Sequence, residues 1–206
     1  MSDPRRSRHH RPGGVPYDAE SLTDVALGVF RERGFDATSI VDIAKAAGLT
    51  KSSLYHHVAG KEVLLKRGLE RALDALFAVL EEPPARSGRA VDRLAYVLRR
   101  ALEVELSLLA EVTVLLRARG NTATEREALD RRREFDRLVA GLVAEAQHEG
   151  TVRGDIDSVL MTRLVFGMLN GLTDWYRADG GVSPASLTDA VSSLLFEGLT
   201  PAAARP

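Results

Sequence analysis

The chain has 206 residues, a formal net charge of -1, 45% hydrophobic and 28% charged residues, and no cysteine. Without cysteine there is no disulfide framework, thiolate metal site or thiol nucleophile, and no apolar run approaches the ~20 residues that a bilayer-spanning helix needs. A near-neutral chain that bound nucleic acid would have to gather its positive charge into a patch.

The length suits one or two domains with a real core. Residues 1–16 read as a basic disordered arm: Arg5, Arg6, Arg8 and Arg11 oppose only Asp3, and Pro12, Gly13 and Gly14 close the segment. Charge and breakers without apolar residues do not fold alone, but such an arm suits phosphates or a minor groove. No apolar stretch follows the arginines as in a signal peptide, so a cytoplasmic protein is expected. Adjacent His9 and His10 have no third ligand nearby, and neither metal nor cofactor is expected.

A first helix is predicted from Asp18 to Arg33, with Leu22, Val25, Ala26, Val29 and Phe30 on one face and Gly34 as its stop. Thr38 or Ser39 opens the next, whose Ile40, Ile43, Ala44 and Ala47 follow helical spacing. Gly48 supplies the positive φ of a tight stop. Thr50 is placed as the N-cap of a third helix over about 51–57. Its only large aliphatic residue, Leu54, pins it to the helix before. Lys51, Ser52, Ser53, Tyr55 and His56 then face outward.

That outward face carries hydroxyls, an aromatic and a cation but no acid. Such groups hydrogen-bond phosphates and base edges, and a short glycine turn between two helices is the geometry that seats a second helix in a major groove. From spacing alone the unit is either a DNA-reading helix-turn-helix or a three-helix packing unit with a polar cap.

The stretch from Gly34 to Leu65, with its core Thr38-Ser-Ile-Val-Asp-Ile-Ala-Lys-Ala-Ala-Gly-Leu-Thr-Lys-Ser-Ser-Leu-Tyr-His-His-Val-Ala-Gly-Lys61, closely resembles the DNA-binding domain of the TetR/AcrR family of transcriptional repressors. Val58 departs from the family's usual Phe. The resemblance implies an all-α fold, with a three-helix DNA-binding domain over 17–60 and an effector-binding and dimerisation bundle over 61–206. It implies DNA contacts from Thr38, Ser39, Thr50, Lys51, Ser52, Ser53, Tyr55, His56 and Lys61, with Thr38, Ser39, Tyr55 and Lys61 on phosphates.

A fourth helix runs from Lys61 to the Pro83-Pro84 stop, about 30 Å at ~1.5 Å per residue, and so reaches both halves. Residues 81–90 read as a loop. Helices follow with stripes from Val91 to Leu102, from Leu106 to Leu116, and from Leu129 to Ala146, the last capped by Thr122 or Thr124. The charge run from Glu125 to Arg137 reads as a solvated face. Asp155 or Asp157 caps one long helix carrying Val159 through Tyr176, and Pro184 opens the last. Gly167 and Gly171 inside a helix cost about 1 kcal/mol each, so close packing or ligand space is expected there. By the family resemblance, about 156–178 and 184–198 build a four-helix dimer interface.

Inward aromatic residues of this second half are either ordinary core or the wall of an apolar pocket. Residues 164–181 resemble, at Gly167, Asn170, Trp175, Tyr176 and Arg177, regulators of catabolism that respond to acyl-CoA thioesters. That likeness implies a small-molecule effector met by Phe135, Arg163, Phe166, Asn170, Trp175, Tyr176 and Arg177. Arg100, Arg117, Arg163 and Arg177 stand as phosphate partners. No Gly-x-Ser-x-Gly elbow, phosphate loop, dinucleotide fingerprint or His-Glu-x-x-His is present, so no enzyme is expected. The reading is a homodimeric repressor released from a palindromic double-stranded operator; a helical adaptor or ligand-binding protein without DNA binding is the alternative.

Overall fold

The computed structural model describes residues 18–199, with side chains through Phe196; the basic arm over 1–16 lies outside the described residues. Eleven helices and no strand are found among the described residues: α1 Ala19–Arg33, α2 Ile40–Ala46, α3 Lys51–Tyr55, α4 Lys61–Glu81, α5 Pro83–Arg86, α6 Ala90–Ser107, α7 Leu109–Arg117, α8 Ala123–His148, α9 Ser158–Asn170, α10 Leu172–Trp175 and α11 Pro184–Leu199. The all-α reading holds.

Local chemistry sets most of these boundaries. Asp18 accepts from the amides of Glu20 and Ser21 to start α1, and Gly34 ends it at φ 81°. Ser39, not Thr38, caps α2, in a reciprocal box with Asp42. Hydrogen bonds from the Ser39 side chain and backbone hold the Asp42 carboxyl below its usual range. Thr122 caps α8 in a second box with Glu125, whose buried carboxylate also accepts from the amides of Arg119, Asn121 and Thr122.

Three boundaries differ from expectation. The 81–90 loop contains a helical turn, α5, because Pro83 and Pro84 occupy its first positions, where the missing N–H is no loss. Leu106 belongs to α6, which breaks only at Leu108 with φ -115° and ψ 43°. The long helix expected through Tyr176 breaks at Gly171, giving α9 and the short α10.

Packing does not divide at residue 60. One apolar cluster joins α1, α2 and α3 to the first half of α4, to Val112, Val114 and Leu115 of α7 and to Ala128 of α8. The other joins Val79 of α4 to α6, α8, α9 and α11. Helix α4 thus belongs to both. Polar ties reinforce this seam. Arg71 of α4 reaches Asp24 of α1 at 2.7 Å and Glu111 of α7 at 2.8 Å. Arg117 Nη1 of α7 donates to the Arg31 carbonyl at the end of α1, at 2.6 Å.

Candidate nucleic-acid interface and effector cavity

Helix α3 is five residues long and buries one of them, Leu54, completely. Thr50 Oγ1 accepts from the Ser53 amide at 3.1 Å and starts the helix. Gly48 takes φ 67°, turning the chain between α2 and α3. Val58 is buried beneath the helix, so the smaller side chain still serves as core. Lys51, Ser52, Tyr55 and His56 are exposed, Ser53 is half-buried, and the Lys51 ammonium stands 5.9 Å from the Tyr55 ring centroid. Ser39 is likewise exposed, at the start of α2.

Two expected contacts need correction. Thr38 is 1% exposed and donates its hydroxyl to the Gly34 carbonyl at 2.7 Å, so its side chain faces the protein. The Lys61 ammonium donates to the carbonyls of Phe35 at 2.8 Å and Thr38 at 2.7 Å and lies 4.3 Å from the Phe35 ring centroid. It is a clamp between the start of α4 and the α1–α2 loop instead of a free phosphate contact. The cause is the fold of that loop, which turns two carbonyls toward α4.

In the second half, a cavity of about 40 Å³ lies among α4, α6, α7, α8 and α9. Phe135, Phe166 and Asn170 line it, and Phe135 packs edge-on against Phe77. The remaining expected residues do not meet there. Trp175 is 56% exposed, because the break at Gly171 rotates α10, and Tyr176 is buried in its place. Arg163 is exposed on α9, though its charge is felt by Asp136. Arg177 is exposed and lines a separate cleft with Arg31 and Arg117. Arg100 is held by Glu82 at 3.1 Å and Glu103 at 2.5 Å.

Three polar residues of the cavity escaped the sequence reading: Glu105 of α6 and Arg132 and Asp136 of α8. Burial pushes both carboxyls upward, Glu105 to about 8, against the opposing pull of Arg132. A buried polar atom without a partner typically costs about 1–3 kcal/mol, and Glu105 Oε1 is such an atom. The proton therefore prefers the folded chain. Between the ordinary 4.5 and about 8 the folded state holds a proton that the unfolded state releases, so stability is greatest below this window and falls as pH rises through it. Glu105→Gln should flatten that decline in Tm, measured from about pH 5 to pH 9; an equally steep decline in the variant would exclude Glu105 as its source.

A second surface is apolar. Val159, Leu160 and Leu164 of α9, Trp175 of α10 and Leu194 of α11 are all well exposed.

Residues 22–67 match the family model of bacterial regulatory proteins, tetR family, and residues 87–199 match that of the tetracyclin repressor-like C-terminal domain. The chain belongs to the TetR family. The HTH-type transcriptional repressor KstR2 of Rhodococcus jostii (strain RHA1) is 32% identical over 86% of this chain and 89% of its own. The crystal structure of SCO3833, a TetR regulator from Streptomyces coelicolor A3, is 53% identical, covers 91% of this chain and 93% of its own, and superposes with a TM-score of 0.83. The structure of the ketosteroid transcriptional regulator KstR2 of Mycobacterium tuberculosis is 26% identical, covers 91% and 97%, and has a TM-score of 0.81.

This TetR-family chain is accordingly a DNA-binding transcriptional regulator, and α2 and α3 are its helix-turn-helix. No described helix is long and apolar enough to cross a membrane.

Proposed function

We propose that the regulator is a cytoplasmic homodimeric repressor that leaves a palindromic operator when a small apolar effector, such as an acyl-CoA or another derivative of an apolar acid, enters the C-terminal cavity. The observation that carries the reading is α3: an acid-free polar face held outward by one buried leucine. Residues 51–56 would enter the major groove, with Lys51, Tyr55, Ser39 and the Thr50 end of α3 on phosphates. The exposed apolar residues of α9, α10 and α11 support a dimer, since a patch of this kind marks an interface. Two copies would present α3 to half-sites about 34–36 Å apart, or a multiple of that.

Coupling needs a part that feels both sites. Helix α4 packs in both apolar clusters, and Arg71 and Arg117 join α4 and α7 to α1. An effector acts only through its different affinity for the two arrangements of these helices, and such coupling is typically about 1–3 kcal/mol. A ketosteroid regulator among the relatives supports an apolar effector.

A shift assay on the DNA beside its own gene, with and without acyl-CoAs, tests the reading. Retention of that DNA at every acyl-CoA concentration would remove the effector class, and failure to shift any of it would remove the operator assignment. Lys51→Ala should weaken binding and lower the slope of log K against log salt by about one unit, since each neutralised phosphate contributes ~0.9. An unchanged slope takes Lys51 off the phosphates.

A further inference from the structure

We propose that Glu105 is the polar recognition point of the effector cavity, where it donates a hydrogen bond to a neutral carbonyl oxygen (a ketone, ester or thioester) on an otherwise apolar effector, so that the site takes the esterified form and rejects the free carboxylate. The proposal rests on the effector-release reading above and names the chemistry that reading leaves open.

Glu105 is 5% exposed, and its Oε1 has no hydrogen-bond partner among the described residues. Buried polar side chains are nearly always paired, so an unpaired one facing a cavity marks a place where another molecule completes the bond. Its surroundings give that molecule's polarity. Helices α4 and α7 present aliphatic side chains to the cavity, and α9 presents Phe166, Leu169 and Asn170. Most of the wall therefore suits an apolar body, and the cavity, about 40 Å³ as it stands, widens to several hundred Å³ as such a body enters, the size typical of ligand pockets (~300–1,000 Å³).

Arg132 and Asp136 of α8 share the cavity wall with Glu105; the charge of Arg132 acts on both carboxyls, and Arg163 of α9 acts on Asp136 from the outer surface. Arg132 balances one carboxylate. With Glu105 protonated, the carboxyl is a donor and the local charge is near zero, which accommodates a neutral acceptor oxygen. A ligand carboxylate would bring a further negative charge into the burial that already disfavours both carboxylates, and a buried charge without its own partner is strongly disfavoured.

The test uses the full-length protein and two probes with the same chain, methyl decanoate and decanoate, titrated calorimetrically at neutral pH into wild type, Glu105→Gln and Glu105→Leu. Wild type should bind the ester at least tenfold more tightly than the acid. Glu105→Gln keeps a donor and should stay within about threefold, whereas Glu105→Leu should weaken the ester about tenfold, a change worth ~1.4 kcal/mol. Tm recorded on each variant confirms that both are folded. Ester affinity should fall above about pH 8 in wild type, where the carboxyl ionises, and stay level in Glu105→Gln. Glu105→Leu binding the ester as well as wild type, decanoate binding as well as the ester, or neither probe binding wild type would each overturn the proposal. Operator release by acyl-CoA that persists unchanged in Glu105→Leu would remove this residue's role alone, while its absence in wild type would remove the underlying effector reading.

Discussion

Arg71→Met is expected to lower stability by about 2–3 kcal/mol and to blunt the response of the DNA-binding half to effector. Arg71 stands on α4 and holds carboxylates from two other helices, Asp24 of α1 and Glu111 of α7. Glu111 is buried, and this arginine is its one hydrogen-bond partner among the described residues. Removing the arginine leaves a buried carboxylate unanswered, which in a fully dry pair costs about 3–5 kcal/mol. Here the arginine side chain is 29% exposed, and solvent screening reduces the figure. Urea unfolding at neutral pH measures the loss. The double variant Arg71→Met, Glu111→Leu should recover most of it, because no charge then remains buried. A single variant as stable as wild type would show that water reaches Glu111 freely.

The same substitution cuts one of the polar ties between α1 and α7, the other being the Arg117 bond to the Arg31 carbonyl. Operator affinity without effector should change little, since no residue of the α3 face is touched. The effector concentration needed for release should rise severalfold. Release at an unchanged concentration would place the coupling elsewhere, with the Arg117 bond to the Arg31 carbonyl as the next candidate.

Leu54→Ala is expected to abolish operator binding while leaving the C-terminal bundle folded. A buried leucine truncated to alanine typically costs about 2–5 kcal/mol. Helix α3 has only five residues, far below the ~12–15 at which an isolated helix becomes marginal in water. Its order therefore depends on that single anchor. If α3 loses even about 2.7 kcal/mol relative to its frayed form, the loss amounts to roughly 100-fold in operator affinity. Ser52→Ala, on the exposed side of the same helix, should leave the unfolding free energy within about 0.5 kcal/mol of wild type. Amide hydrogen exchange would resolve the two cases: fast exchange confined to 49–58 in Leu54→Ala, and native protection in Ser52→Ala. Native operator affinity in the leucine variant would mean that α3 is not the reading helix.

What the sequence determined by itself is what depends on near neighbours along the chain. The α1 cap at Asp18, the glycine turn at Gly48, the cap at Thr50, the anchor at Leu54 and the outward polar face are all products of spacing within a few residues. Phe135 falls on the apolar stripe read for its helix, whereas Asn170 was reached only through the family resemblance. The tertiary structure alone decided the rest. Lys61 looks like a free cation at a helix start, and only the return of the α1–α2 loop, 23 to 26 residues earlier, supplies the carbonyls that hold it. Trp175 turns outward while Tyr176 stays inward at one break after Asn170, and a helix turns each successive residue by ~100°. Glu105 lies on the buried face of α6, three and four residues after Leu102 and Ala101, and its acid side chain disguises the continuation of that apolar stripe. It is buried because α8 closes over that face of α6, and a single helix carries no record of which partner will cover it.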